Sequence, residues 1–270
     1  MQLNFLKMDL SQIKMVVTDM DGTLLNSNHE VSPRFFEIFE ELKKKDIIFV
    51  AASGRQYNSM VDKLESIKDD IIVIAENGAL IKHQENVLLT TPIDKQEVGR
   101  ILGIVKPLKD VHPVLCGQYN AYANDASDAF LTMLAEYYSE FDIVRDQTAV
   151  EAEVLKIAIY HFEDSEKYIY PSVKHLEDNL KVKVSGANWV DVSHKNAHKG
   201  YALQKVMDQH QIAANEVMVF GDYNNDLEMM QLSNYSFAMA NAHPNVKKVA
   251  KYETVSNNDF GVERVLEKLI

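Results

Sequence analysis

Four short apolar runs, each stopping abruptly at a polar loop, constrain this chain more than any other feature. Met15-Val16-Val17-Thr18 stops at Asp19-Met20-Asp21-Gly22-Thr23, and Ile47 to Ala52 stops at Ser53-Gly54-Arg55. Ile71 to Ala75 stops at Glu76-Asn77-Gly78, and Val217 to Phe220 stops at Gly221-Asp222. Runs so short and so uniformly apolar suit strands buried on both faces, as in a parallel sheet. Between the first two lies a helical segment over 32–45, with Ser32 placed to cap it, Pro33 at its first position and lysines in its last turn. Its apolar residues Phe35, Ile38, Phe39 and Leu42 share one face. Residues 56–67 look helical too, so the chain up to residue 80 reads strand–helix–strand–helix–strand, with right-handed crossovers. The same alternation returns late: helix over 198–210, strand over 217–220, helix over 224–232, strand over 235–239 and helix over 260–269.

The middle is different. Strand-like pieces fall at 87–91, 112–116, 120–123, 154–160, 181–185 and 188–192, with helical pieces at 94–105, 126–138 and 165–179. This is an α+β unit inserted between the third and fourth strands of an α/β domain. The expected division is an N-terminal extension over 1–13, a core of 14–84 with 193–270, and an inserted unit over 85–192.

A hydrophobic content of 46% over 270 residues is ample for buried cores, and the net charge of −12 repels nucleic-acid backbones. It repels phosphorylated metabolites as well, so a site for them needs local compensation from a metal, a lysine or helix N-termini. The lone cysteine, Cys116, excludes an intramolecular disulfide and a Cys-rich zinc site, and is expected to be a small buried hydrophobe. No apolar stretch is long enough to span a membrane, and the start MQLNFLKMDL lacks a leader pattern. The expectation is a cytoplasmic protein with no membrane or nucleic-acid partner.

Ligands of open α/β sheets bind at the carboxyl ends of the strands. There the sequence gathers Asp19 and Asp21, then Ser53 and Gly54, then Asp222 with Asn225 and Asp226, while Lys199 starts the helix before the fourth strand. Carboxylates packed together resist joint ionisation, and a hard cation such as Mg²⁺ resolves the conflict while leaving room for a phosphate oxygen. Asp19 could ligate by its side chain and Asp21 by its backbone carbonyl, leaving the Asp21 carboxyl for proton transfer. Asp19 would then attack phosphorus, and Asp21 would protonate the leaving oxygen and later deprotonate water. Lys199, Ser53 and backbone N–H groups would steady the charge on the phosphoryl group.

These motifs, together with Lys199-Gly200, Gly221-Asp222-Tyr223-Asn224-Asn225-Asp226 and Glu76-Asn77-Gly78, resemble the haloacid dehalogenase-like hydrolases, and most of all the Cof-type sugar-phosphate phosphatases. The resemblance runs along the whole chain after the extension. It implies a Rossmann-like parallel sheet core with an inserted α+β cap domain, and a Mg²⁺-dependent phosphatase for small phosphorylated metabolites. Carried over, Asp19 is nucleophile and metal ligand, Asp21 the general acid/base with its carbonyl on the metal, and Asp222 the third protein ligand. Ser53, Gly54, Lys199, Asn225 and the backbone at Met20 would hold phosphate, and Asp226 would orient the metal's waters or Lys199. Tyr223 departs from the small or polar residue usual there and receives no role.

Plainer readings compete. Asp-Gly-Thr alone is commonly a turn with a cap, Ser53 could simply cap the following helix, and Asn225 could be a turn residue. Arg55 reads as structural, His194 and His198 as surface histidines rather than zinc ligands, and Tyr119, Tyr122 and Trp189 as core packing. A phosphotransferase or mutase on the same fold, or a non-catalytic phosphometabolite sensor, would use many of the same residues; the retained acid/base at Asp21 speaks against the sensor. The chain is expected to be a monomer or weak dimer.

Overall fold

The computed structural model describes residues 9–138 and 140–270. Its strands are β1 (Met15–Asp19), β2 (Ile48–Ala52), β3 (Ile72–Ala75), β4 (Leu80–His83), β5 (Asn86–Thr90), β6 (Val111–Gly117), β7 (Ala121–Ala123), β8 (Phe141–Ile143), β9 (Val154–His161), β10 (Leu180–Val184), β11 (Trp189–His194), β12 (Val217–Gly221), β13 (Tyr235–Ala238) and β14 (Tyr252–Glu253). They form one sheet in the order β14-β13-β12-β1-β2-β3-β4-β5 and another in the order β10-β11-β9-β6-β7-β8. The chain divides accordingly into two compact units, one running to Leu89 and resuming at His198, the other spanning Thr90–Ala197.

In the first unit, β14 through β3 run parallel and β4 returns antiparallel to β3. Central β1, Val50 to Ala52 and β12 are buried throughout, as strands covered on both faces must be. The helix Pro33–Lys44 forms where its sequence demands: the Ser32 hydroxyl accepts from Phe35 N, and Lys43 and Lys44 occupy its last turn. Its apolar stripe packs Phe35 against Phe49 of β2 at 5.1 Å between ring centroids, with Phe39 edge-on to Phe49 at 5.9 Å. Of the expected extension, residues 1–8 lie outside the described residues. Residues beyond them are tied down: Tyr235 Oη donates to the Asp9 carbonyl at 2.8 Å and Asn215 to Gln12 at 2.8 Å.

The second unit is an α+β sandwich built on its own sheet, antiparallel but for the β7–β8 pair. Alternate residues feed two cores. Leu115, Ile157, Ile159, Val190 and Val192 pack with the helix Lys95–Val105 and with Ile169, Val173 and Leu176. On the opposite face Val114, Cys116, Ala121, Ala123 and Ala158 pack with Phe130, Met133 and Leu134 of the helix Asp128–Tyr137. Cys116 is fully buried there and Trp189 is nearly so among Tyr137, Tyr138 and Tyr160, as packing residues. Tyr119 differs, being 69% exposed.

Several expected helices are interrupted. The segment after β2 is helical over Tyr57–Val61 and then tightens to a 3₁₀ run with a kink at Leu64. The stretch 165–179 breaks into Ser165–Tyr168, Tyr170–Val173 and Lys174–Asp178, the first break falling where Pro171 cannot donate to the turn before it. Among the described residues no helix is long and apolar enough to cross a membrane.

The aromatic contact between helix and β2 gives a stability test. Phe35→Ala removes a fully buried ring and should cost about 3–5 kcal/mol, read as a lower urea midpoint with an unchanged slope.

Candidate active site

The sheet register brings the polar ends together. Asp19 is the last residue of β1; Asp19 pairs with Ala52, so Ser53 follows beside it, and Thr18 pairs with Phe220, so Gly221 and Asp222 emerge on the other side. The chain then turns sharply: Leu25 N donates to the Met20 carbonyl at 2.8 Å and Leu24 N to the Asp19 carbonyl at 3.3 Å. Gly22 takes φ +77°, and a Cβ there would collide with the Asp222 carboxylate. Glycine is required on both counts. The Thr23 hydroxyl donates to Asp222 Oδ1 at 3.3 Å.

Lys199 is the hub. It is the first residue of the helix Lys199–His210, capped by the His198 ring accepting from Tyr201 N. Its fully buried ammonium donates to Asp19 Oδ1 at 2.5 Å and to Asp226 Oδ1 at 2.7 Å. Asp226 spends its other oxygen on the backbone, accepting from Asp222 N at 2.9 Å and Tyr223 N at 3.1 Å. It therefore fixes both the lysine and the loop that carries Asp222. Tyr223 turns its ring outward, 52% exposed, edge-on to His243.

Electrostatics follow from burial. Burial alone would neutralise Lys199, but Asp19 and Asp226 outweigh it and hold its pKa above the ordinary lysine value. Burial drives Asp19 well above the carboxylate range, Lys199 opposes this, and Asp226 and Asp222 add to it. Asp222 is pushed to about 6 by burial and by the Asp226 charge. Asp21 is the exception. Burial works to raise it, yet Arg55 holds it below the usual range, with His29 adding to the effect. Arg55 grips Asp21 through two hydrogen bonds, Nε to Oδ2 at 2.7 Å and Nη2 to Oδ1 at 2.6 Å.

Oxygens of Asp19, Asp222 and Asp226 lie within 4.8 Å of one another. Three carboxylates around a single ammonium form a hard, electron-rich donor set, which fits a divalent cation. With both Asp226 oxygens committed to nitrogen donors, Asp19 and Asp222 are the better side-chain ligands. Ser53 is buried, its hydroxyl accepting from Arg55 N at 3.1 Å, and Asn225 donates to Asn77 Oδ1 at 3.0 Å. Met20 is buried too, with its carbonyl used in the turn. His194 and His198, both half-buried, turn Nδ1 to local backbone N–H groups.

The family model of haloacid dehalogenase-like hydrolases matches residues 16–266. The chain is a haloacid dehalogenase-like hydrolase. The hydrolase is 28% identical to the 5-amino-6-(5-phospho-D-ribitylamino)uracil phosphatase YbjI of Escherichia coli, over 96% of each chain. It is 26% identical to the phosphatase YwpJ of Bacillus subtilis, over 96% of this chain and 100% of that one. Among solved structures, TM0651 from Thermotoga maritima superposes with a TM-score of 0.85 at 27% identity, covering 95% of this chain and 97% of its own. The hydrolase is a phosphoric monoester hydrolase of that family, and its acidic cluster can hold the divalent metal that these phosphatases use. Arg55 and Thr23 lie within the motifs that carry the resemblance, but the sequence assigns neither a role at the site; both touch acidic residues across long sequence gaps.

The raised Asp222 pKa sets a sign. An unfolded Asp titrates at about 3.9, so between there and about 6 Asp222 binds more protons in the folded, metal-free protein than in the unfolded chain, and its contribution to stability falls as pH rises through that window. A divalent cation bound to the ionised carboxylates reverses the loss. Adding Mg²⁺ to EDTA-stripped protein should therefore raise Tm more at about pH 7.5 than at about pH 5, where protons compete for Asp222. Equal gains at both would show that Asp222 does not bind the ion.

Proposed function

We propose that the hydrolase acts on small phosphorylated metabolites, sugar phosphates foremost, by passing the phosphoryl group to Asp19 and then to water with Mg²⁺ as cofactor. The observation that carries this reading is the buried ammonium of Lys199 fixed between Asp19 and Asp226. It pins one Asp19 oxygen and so orients the carboxylate for attack, which is worth far more than its modest basicity. In the first step Asp19 bonds to phosphorus as the bond to the leaving oxygen breaks, and Asp21, protonated and so released from Arg55 for this step, gives that oxygen a proton. In the second, Asp21 takes a proton from water, the water oxygen bonds to phosphorus, and the bond to Asp19 breaks to release phosphate. Mg²⁺, held by Asp19, Asp222 and the carbonyl of Asp21, would supply charge neutralisation for the phosphoryl oxygens. Ser53, Gly54, the Met20 backbone and the Asn225 amide would hold those oxygens, while Asp226 serves Lys199.

The choice of sugar phosphates rests on the relatives, since the E. coli protein is named for a phosphorylated ribityl compound. We place substrate selection in the inserted unit, residues 90–197, and the chemistry in the remainder. Nothing in the site favours transfer to a sugar hydroxyl over transfer to water.

Asp19→Asn removes the nucleophile and should abolish Mg²⁺-dependent hydrolysis of p-nitrophenyl phosphate, by roughly 10⁴-fold or more, in a protein with unchanged circular dichroism. Full activity in that folded variant would move the nucleophile elsewhere. Arg55 tests the second role. Arg55→Ala lifts the hold that keeps Asp21 ionised, so the high-pH limb of the turnover profile for an alkyl phosphate, whose leaving oxygen needs a proton, should move to higher pH, and that for p-nitrophenyl phosphate much less. An equal fall on both substrates with unmoved profiles would mean that Arg55 supports the fold rather than the acid.

A further inference from the structure

The Glu76-Asn77-Gly78 turn after β3 plays no part in the chemistry above, yet its backbone is the most unusual in the site. All three residues take positive φ, at 50°, 55° and 99°. A left-handed run through two side-chain-bearing residues is costly and persists only where surroundings over-determine it. Here they do. Glu76 N donates to the Arg55 carbonyl at 2.9 Å and Asn77 N to the Ser53 carbonyl at 2.9 Å. A Cβ on Gly78 would sit 2.5 Å from the His198 carbonyl oxygen, so the turn lies flush against the start of the Lys199 helix. A Cβ on Gly54 would sit 3.0 Å from Asn77 Nδ2, so the Asn77 amide covers the Ser53-Gly54 loop. The same amide accepts a hydrogen bond from Asn225 Nδ2 at 3.0 Å, joining residues 148 apart in sequence.

One turn thus braces three segments assigned to phosphate: Ser53-Gly54, the Lys199 helix start and Asn225. The Asn225 contact has a chemical consequence. A primary amide presents either a donating nitrogen or an accepting oxygen, and only the nitrogen attracts phosphate. The oxygen of Asn77 engages one N–H of Asn225, which fixes the rotation of that amide and leaves its second N–H to donate. We propose that Asn77 is a positioning residue for phosphate binding, holding the Asn225 amide with its nitrogen end toward the phosphoryl oxygens. This rests on the reading of Asn225 as a phosphate donor.

A double-mutant cycle in the Mg²⁺-loaded enzyme tests it, with inorganic phosphate as the probe and its inhibition constant as the readout. Asn77→Gly is the informative change, because glycine keeps the left-handed backbone and deletes only the amide. Asn225→Ala should weaken phosphate about tenfold, and Asn77→Gly about fivefold. In the Asn225→Ala background, Asn77→Gly should add less than about twofold, because its effect runs through the missing amide. The Mg²⁺ concentration for half-maximal activity should stay put in Asn77→Gly, which a general loosening of the site would not allow. If Asn225→Ala weakens phosphate and Asn77→Gly does not, or if Asn77→Gly weakens it equally in both backgrounds, the positioning role is overturned while Asn225 keeps its own. If Asn225→Ala leaves phosphate unaffected, the underlying reading fails and the proposal falls with it. Asn77→Ala replaces the glycine variant in the cycle should the latter not fold.

Discussion

Everything around the acidic cluster is arranged about one ammonium group buried between two carboxylates. Taking a lysine wholly out of water costs several kcal/mol unless partners of opposite charge are already in place. Lys199 has two, at 2.5 and 2.7 Å, and they arrive from chain segments 180 and 27 residues away. Folding must therefore deliver β1, the start of the Lys199 helix and the turn after β12 to a single point. The parallel register does so: β1 lies between β2 and β12, so loops leaving neighbouring strands open on the same edge. Asp226 completes the arrangement by tying the lysine to the backbone that bears Asp222. A change at any of these residues disturbs the position of the others, and the site behaves as a unit.

Much of this was legible in the sequence because its physics is local or periodic. Strands buried on both faces must be continuous apolar runs, and β1, β2, β3 and β12 are such runs, so their ends and the acidic residues beyond them could be placed by inspection. The helix Pro33–Lys44 carries its cap, its proline and its basic end in plain view. The shortest elements, at or next to the edges of the sheet, were less visible. Leu80–His83 is a strand because a left-handed turn sends it back along β3, and Tyr252–Glu253 because two of its residues happen to meet β13. Neither has a pattern of its own long enough to read. The helix Pro244–Val249, also short, falls in the same class.

The same distinction divides the site. Asp19, Lys199 and Asp222 belong to motifs recognisable along the chain. The partners that Asp21 and Asn225 meet are recognisable only in space. Arg55 meets Asp21 across 34 residues and Asn77 meets Asn225 across 148, and nothing in either neighbourhood specifies the pairing. Arg55 reads as structural from the sequence, which shows no partner for it. Its two-point grip on Asp21 depends on the turn at Gly22 bringing that carboxylate round, a geometry the linear sequence does not display.

Charge counting joins the geometry to the chemistry. Asp19, Asp21, Asp222 and Asp226 carry four negative charges when ionised, and Lys199 and Arg55 return two. Neither cation stands idle, since Lys199 answers Asp19 and Asp226 while Arg55 answers Asp21. A phosphate dianion approaching the metal-free site would meet an excess of two negative charges within a protein already at −12. Burial, with the neighbouring negative charges adding to it, raises the pKa values of Asp19 and Asp222 in the metal-free site. On the proposed mechanism, protons on those residues would silence both a nucleophile and a ligand. A divalent cation cancels the same excess while leaving both carboxylates ionised. On this reading Mg²⁺ does more than polarise a phosphate oxygen: it allows an acidic protein to accept an anionic substrate, with the nucleophile in its reactive form.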